Sequence, residues 1–182
     1  MALVETPTET MSAPCPDFAL PDPGGTVHTR DGLRGPNGLV VAFICNHCPY
    51  VIAVIDRLAA DLVALKDEGV GGALIMPNDW TAYPDDAPDR MAAFAEAHAL
   101  PVPYLVDERQ EAARAFGAVC TPDLFGYGPG LTLQYRGRVD DVGMRGDASA
   151  RRAELVEGMR TIAGGGTVPH QTPSMGCSIK WR

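Results

Sequence analysis

The apolar run from Gly38 to Ile44 leads directly into Cys45-Asn46-His47-Cys48-Pro49, and an amphipathic stretch begins at once afterwards. A continuous apolar run suits a strand buried on both faces. Beyond Cys48, Val51, Ile55, Leu58, Leu62 and Leu65 recur at spacings of four and three, one stripe of a helix ending at Gly69. The joint is a strand end opening onto a helix start, with two cysteines three positions apart on it. Such a pair can close a small disulfide ring. A helix N-terminus carries partial positive charge and free N–H donors, which favour a thiolate over a thiol. The thiolate is the nucleophile of thiol–disulfide exchange.

Other readings of the pair are weaker. Buried free cysteines often pack as small hydrophobes. A zinc site needs a second ligand pair at ligand spacing. The remaining histidines are His28, His98 and His170, and no second C-x-x-C exists. Cys45, His47 and Cys48 make a poor tetrahedral set, because His47 and Cys48 are adjacent. A redox dithiol with no metal and no cofactor is the expectation, with a metal-binding or redox-silent interaction module as the alternative.

A chain of 182 residues fits one domain with its own core. The net charge of −8 argues against nucleic acid and anionic membranes as partners. No apolar run approaches the ~20 residues of a membrane span. Residues 1–10 show neither the basic nor the apolar region of a secretory signal, so a cytoplasmic protein is expected. Five cysteines are too few for a disulfide scaffold, and in that compartment a disulfide is transient and catalytic.

Residues 1–13 are polar and Thr/Pro-rich and read as a disordered leader. Residues 14–166 read as one domain, and 167–182 as a tail packing on it. Within the domain, 17–20 and 26–29 form a hairpin across the turn at 21–25. Residues 70–76 are a buried strand and 77–88 a loop. A helix over 89–99 turns Met91, Phe94 and Ala95 inward. A strand at 104–106 and a helix at 108–116 follow. A second hairpin pairs 124–127 with 131–135, and a last helix spans 148–163. Strands alternating with helices, closed by a hairpin, imply an α/β fold with a central mixed sheet and helices on both faces.

Certain stretches carry a family resemblance. They are Asp17 to Asp22, Phe43 to Val51 around the two cysteines, Asn78-Asp79, Tyr104 to Glu108, Phe116 to Asp123, Tyr135 to Asp141, and the tail Thr172 to Trp181. Over about 15–182 the chain resembles the thioredoxin fold in its peroxiredoxin-like, AhpC/TSA-type branch. It is similar to the bacterial redoxins that combine the Cys45 to Tyr50 stretch with a Gly176-Cys177-Ser178-Ile179-Lys180-Trp181 tail. The resemblance implies a thiol–disulfide oxidoreductase, with a thiol-dependent peroxidase as the alternative. Its partners would be protein or small-molecule disulfides, peroxides, and a thiol reductant. Cys45 would be the exposed attacker and Cys48 the resolver. Thr121-Pro122 would carry a cis proline facing the dithiol, and the neighbouring backbone would pair with a bound substrate chain.

The peroxidatic signature Pro-x-x-x-Thr/Ser-x-x-Cys is not matched. With Cys48 in its cysteine position, Cys45 replaces the Thr/Ser and Val41 the proline, so slow peroxide turnover is expected. Arg136 or Arg138 could balance a thiolate. His47 would stabilise the Cys45 thiolate and make the couple more oxidising. Cys120, two residues before Pro122, and Cys177, on the tail, could relay or cap oxidation. Cys15 reads as incidental, Trp80 and Trp181 as packing residues, and Asp140 with Asp141 as a solvated charge cluster.

Overall fold

The computed structural model describes residues 2–7, 11–144 and 146–182. In chain order the elements are β1 (Leu3–Glu5), β2 (Ala19–Pro21), β3 (Val27–Thr29), α1 (Arg30–Leu33), β4 (Gly38–Phe43), α2 (Pro49–Ile52), α3 (Ile55–Asp67) and β5 (Val70–Met76). There follow α4 (Pro88–Ala97), β6 (Tyr104–Val106), α5 (Glu111–Phe116), β7 (Cys120–Thr121), β8 (Asp123–Tyr127), β9 (Leu133–Tyr135), α6 (Glu154–Ala163) and β10 (Met175–Ser178).

The central sheet has the order β6-β5-β4-β8-β9. β4 pairs parallel with β5 and antiparallel with β8, which makes the sheet mixed as expected. All of β4 is buried. Its alternation divides the interior in two. Val40 and Ala42 face a cluster with the Val51, Ile55, Leu58, Leu62 and Leu65 stripe and α6. Leu39, Val41 and Phe43 face a second cluster with Phe18, Phe116 and Phe125. The dithiol belongs to the first.

The expected first helix is broken into α2 and α3, although its whole stripe is buried. The break falls where the Arg57 guanidinium takes the Ala53 carbonyl at 2.8 Å. The last helix begins at Glu154, after a separate tight turn at Ala148–Ala150. The expected helix over 108–116 starts later, at Glu111, where the Asp107 carboxylate accepts from the Ala112 and Ala113 N–H groups. Met91 is buried as expected, whereas Phe94 and Ala95 are only partly covered.

Three expectations are corrected. The leader is not all disordered: Leu3–Glu5 form a strand, while its residues 8–10 lie outside the described residues. β1 pairs with β10, and β10 with β7, giving a separate three-stranded sheet. Cys15 packs in the aromatic cluster rather than in a leader, and burial pushes its thiol up to about 12. Asp140 is not solvated: it is buried, and accepts from Arg57 and Arg151 at 2.7 Å each. Asp141 is exposed.

Candidate active site

Cys45 stands just past the end of β4, and Cys48 caps α2 with Pro49 in the first helical position. Proline fits there because its missing N–H would have no helical partner. Thr121 reaches both sulfurs. Its hydroxyl lies 3.2 Å from the Cys45 sulfur, and its carbonyl oxygen lies 3.0 Å from that of Cys48. The Thr121–Pro122 peptide is cis.

The expected exposed attacker is not found. Cys45 is 1% exposed and Cys48 0%. The reason is the small sheet. β10 pairs antiparallel with β7, Cys177 opposite Thr121 and Ser178 opposite Cys120. The backbone edge expected to receive a substrate chain is therefore held by the protein's own tail. Gly176 allows the contact: a Cβ there would come within 2.1 Å of the Thr121 carbonyl oxygen. The tail is pinned further on, where Lys180 N–H donates to Asn78 at 2.9 Å and Gln110 donates to the Lys180 carbonyl at 2.8 Å.

The electrostatics favour charge on Cys48. The Cys45 thiol donates to its sulfur, which lowers it against the cost of burial. The N–H groups of Cys177 and Val51 and the Cys177 thiol add to that effect. The Thr121 carbonyl opposes it, since an S–H can donate there and a thiolate is repelled. Several donors outweigh one acceptor, so the direction is downward. Cys45 is raised, first by giving its hydrogen bond to Cys48, then by burial and by the Asp86 carboxylate. Cys177 is raised by burial and by its bond to Cys48. Cys120 is also raised by burial, and its thiol faces the Pro122 carbonyl at 3.5 Å.

His47 has a partner that sequence reasoning missed. Its Nδ1 lies 2.9 Å from Oδ2 of Asp86, a carboxylate buried completely. The approach is out of line for a hydrogen bond, and Nδ1 is left buried without one. Asp86 also accepts from the Asn46 N–H and from Asn78, both at 2.8 Å. No local pattern marks Asp86, which lies in the loop after β5. Asn78 lies within the resemblance but carried no role. Cys45, His47 and Asp86 bring donor atoms within 4.8 Å of one another. Asp86 thus supplies a third ligand type that the sequence reading of a zinc half-site lacked.

A cavity of about 270 Å³ lies beside Pro122, lined by Tyr50, Val54, Val139, Pro173 and Met175 among others. A larger one of about 850 Å³ lies between α6 and residues 167–172, and neither cavity is lined by a cysteine.

The AhpC/TSA family profile matches residues 11–139. The chain belongs to the AhpC/TSA family. An uncharacterized conserved protein from Geobacillus kaustophilus is 36% identical, with 100% of this chain and 97% of that one covered at a TM-score of 0.93. A hypothetical protein from Sinorhizobium meliloti 1021 is 32% identical, with 98% of each chain covered at 0.90. The thioredoxin domain of a thiol-disulfide oxidoreductase from Bacteroides vulgatus is 13% identical, with 84% and 97% covered at 0.64, a likeness of fold alone. No curated protein sequence matches. The fold is thioredoxin-like.

In this AhpC/TSA member the two candidate arginines are engaged elsewhere. Arg136 is buried against Asp123 at 3.0 Å and stacks on Phe125 at 4.4 Å. Arg138 pairs with Glu154 at 2.8 Å. Charge on Cys48 is met by N–H and S–H donors instead. Trp181 stacks with Arg114, and Trp80 packs at the edge of the dithiol's cluster.

Proposed function

We propose that this redoxin is a thiol–disulfide oxidoreductase in which Cys45 and Cys48 cycle between dithiol and disulfide. The observation that carries the reading is Thr121, which holds one sulfur by its hydroxyl and the other by its carbonyl at the cis peptide. Charge resting on Cys48 favours it as the attacker, with Cys45 resolving, the reverse of the order the resemblance implied. Cys48 thiolate attacks a substrate disulfide and expels one substrate thiolate. Cys45 then attacks the Cys48 sulfur, expels the second thiolate and leaves the Cys45–Cys48 disulfide. An external thiol reductant returns both electrons. A cytoplasmic setting, with its thiol reductants, goes with this reading, and cell fractionation tests it.

A disulfide reductase assay tests the chemistry. Cys48→Ser should lose steady turnover and Cys45→Ser should slow it, and full turnover in Cys48→Ser overturns the reading. Hydrogen peroxide should be consumed slowly, because Cys45 and Val41 stand where the peroxidatic signature has Thr/Ser and Pro, and positioning supplies much of such a rate. Fast stopped-flow oxidation would move the protein to the peroxidase alternative. The Cys45, His47 and Asp86 grouping favours a second reading, a soft divalent ion held by the reduced protein. Metal analysis after reducing purification decides it: stoichiometric zinc lost on Asp86→Ala supports it, and its absence leaves the dithiol alone.

A further inference from the structure

Cys48 has two cysteine neighbours. Cys45 lies on one side, and on the other Cys177 stands on β10 within the same buried cluster, where its N–H and thiol favour charge on the Cys48 sulfur. The backbone explains this placement. Cys177 is the β10 residue opposite Thr121, the residue whose carbonyl touches Cys48. β10 lies along the edge where a substrate chain is expected, so Cys177 stands where a substrate cysteine would stand. All three thiols lie in one buried cluster. Cys120, on the same edge, turns its thiol to the Pro122 carbonyl instead.

We propose that Cys177 is a third redox thiol, which attacks Cys48 in the Cys45–Cys48 disulfide and carries the disulfide onto the tail. The inference rests on the dithiol reading above. The Cys45–Cys48 bond breaks as the Cys48–Cys177 bond forms. Cys45 leaves as a thiolate and takes up the proton that Cys177 gives up. No oxidant or reductant is consumed, since one disulfide replaces another. Part of what holds the Cys177 proton in the reduced protein is the charge on Cys48. A disulfide carries no such charge, so oxidation of the pair eases the loss of that proton. The same sulfur can resolve a mixed disulfide on Cys48, expelling the substrate thiol in place of Cys45.

Two measurements test this. Trypsin places Cys45 and Cys48 in one peptide, 35–57, and Cys177 in another, 161–180. Unmutated protein oxidised by one equivalent of a small disulfide, quenched in acid and mapped, should give a cross-link between these peptides besides the internal loop. A loop alone overturns the proposal. Next, Cys45→Ser and Cys45→Ser/Cys177→Ser are each charged with a chromogenic aromatic disulfide, and the bound thiol is followed. The single variant should shed it at least about tenfold faster than the double, because an intramolecular thiol held in the same cluster outcompetes solvent thiols. Equal lifetimes in the two variants overturn the relay and leave the dithiol intact. No mixed disulfide in either would instead remove the dithiol reading on which it rests.

Discussion

The two sheets are built on different terms. The five-stranded sheet is buried on both faces, and β4 and β5 are near-continuous apolar runs. The sheet β1-β10-β7 joins both ends of the chain to two residues beside a cis proline. Its outer residues are open, with Leu3 56% and Met175 43% exposed. The first gains from area removed from water. The second depends on close backbone approach at Gly176 and on a few hydrogen bonds at the tail. One sheet therefore holds most of the buried apolar area, and the other packs beside the sulfurs. Regions with few buried apolar contacts open at lower free energy than the core.

The largest effect should come from the central sheet. Leu74→Ala, in β5 and fully buried, should cost about 2–5 kcal/mol, read from urea unfolding. A loss below ~1 kcal/mol would deny this sheet its role. Gly176→Ala comes next. Its methyl would meet the Thr121 carbonyl oxygen at 2.1 Å, which β10 relieves by leaving β7. Alkylation of Cys45 and Cys48 in the reduced protein should speed up by about tenfold or more, with a smaller drop in urea midpoint than Leu74→Ala gives. Unchanged alkylation would mean that β10 is no cover.

The third effect is a pH dependence. Hydrogen bonding from Cys45 lowers Cys48 below the ordinary thiol value of 9.0. A group lowered by folding adds stability that is complete above its unfolded value and vanishes as pH falls through the folded one. The reduced protein should therefore gain stability from pH 5 to pH 8 relative to the oxidised protein. Cys45, raised, acts in the opposite sense only above about pH 9. The difference between the two urea midpoints measures this, and a constant difference would place no charge on Cys48. The smallest effect is expected at His47. Removing an imidazole beside Cys45 should make the couple less oxidising, but Asp86 at 2.9 Å offsets its charge. His47→Ala should lower the potential in glutathione buffers by less than about 30 mV. A larger fall would show that Asp86 does not offset it, and a rise would reverse the sign of the argument.

Much of the central sheet was legible in the residues. Runs such as Gly38–Phe43 and Val70–Met76 have no other place to go than between two layers, and the stripe from Val51 to Leu65 held even across a break in its helix. Cys45, Cys48, Thr121 and Pro122 were legible too, by spacing and by resemblance, and the fold brings them into contact. The tail was expected to pack on the domain, but its pairing with Leu3–Glu5 was not legible. Short strands of mixed polarity carry no periodic signal. Asp86 had no local mark because its partners, Asn46, His47 and Asn78, converge only when the loop after β5 folds back.

The sequence alone determined that two sulfurs stand three positions apart where a strand meets a helix, because a C-x-x-C pair at such a joint is a local arrangement. Tertiary structure alone decided what surrounds them and what covers them. Both depend on groups far apart in the chain, Thr121, Cys177 and Asp86, whose fields and contacts act over a few ångströms and exist only once the chain has closed on itself.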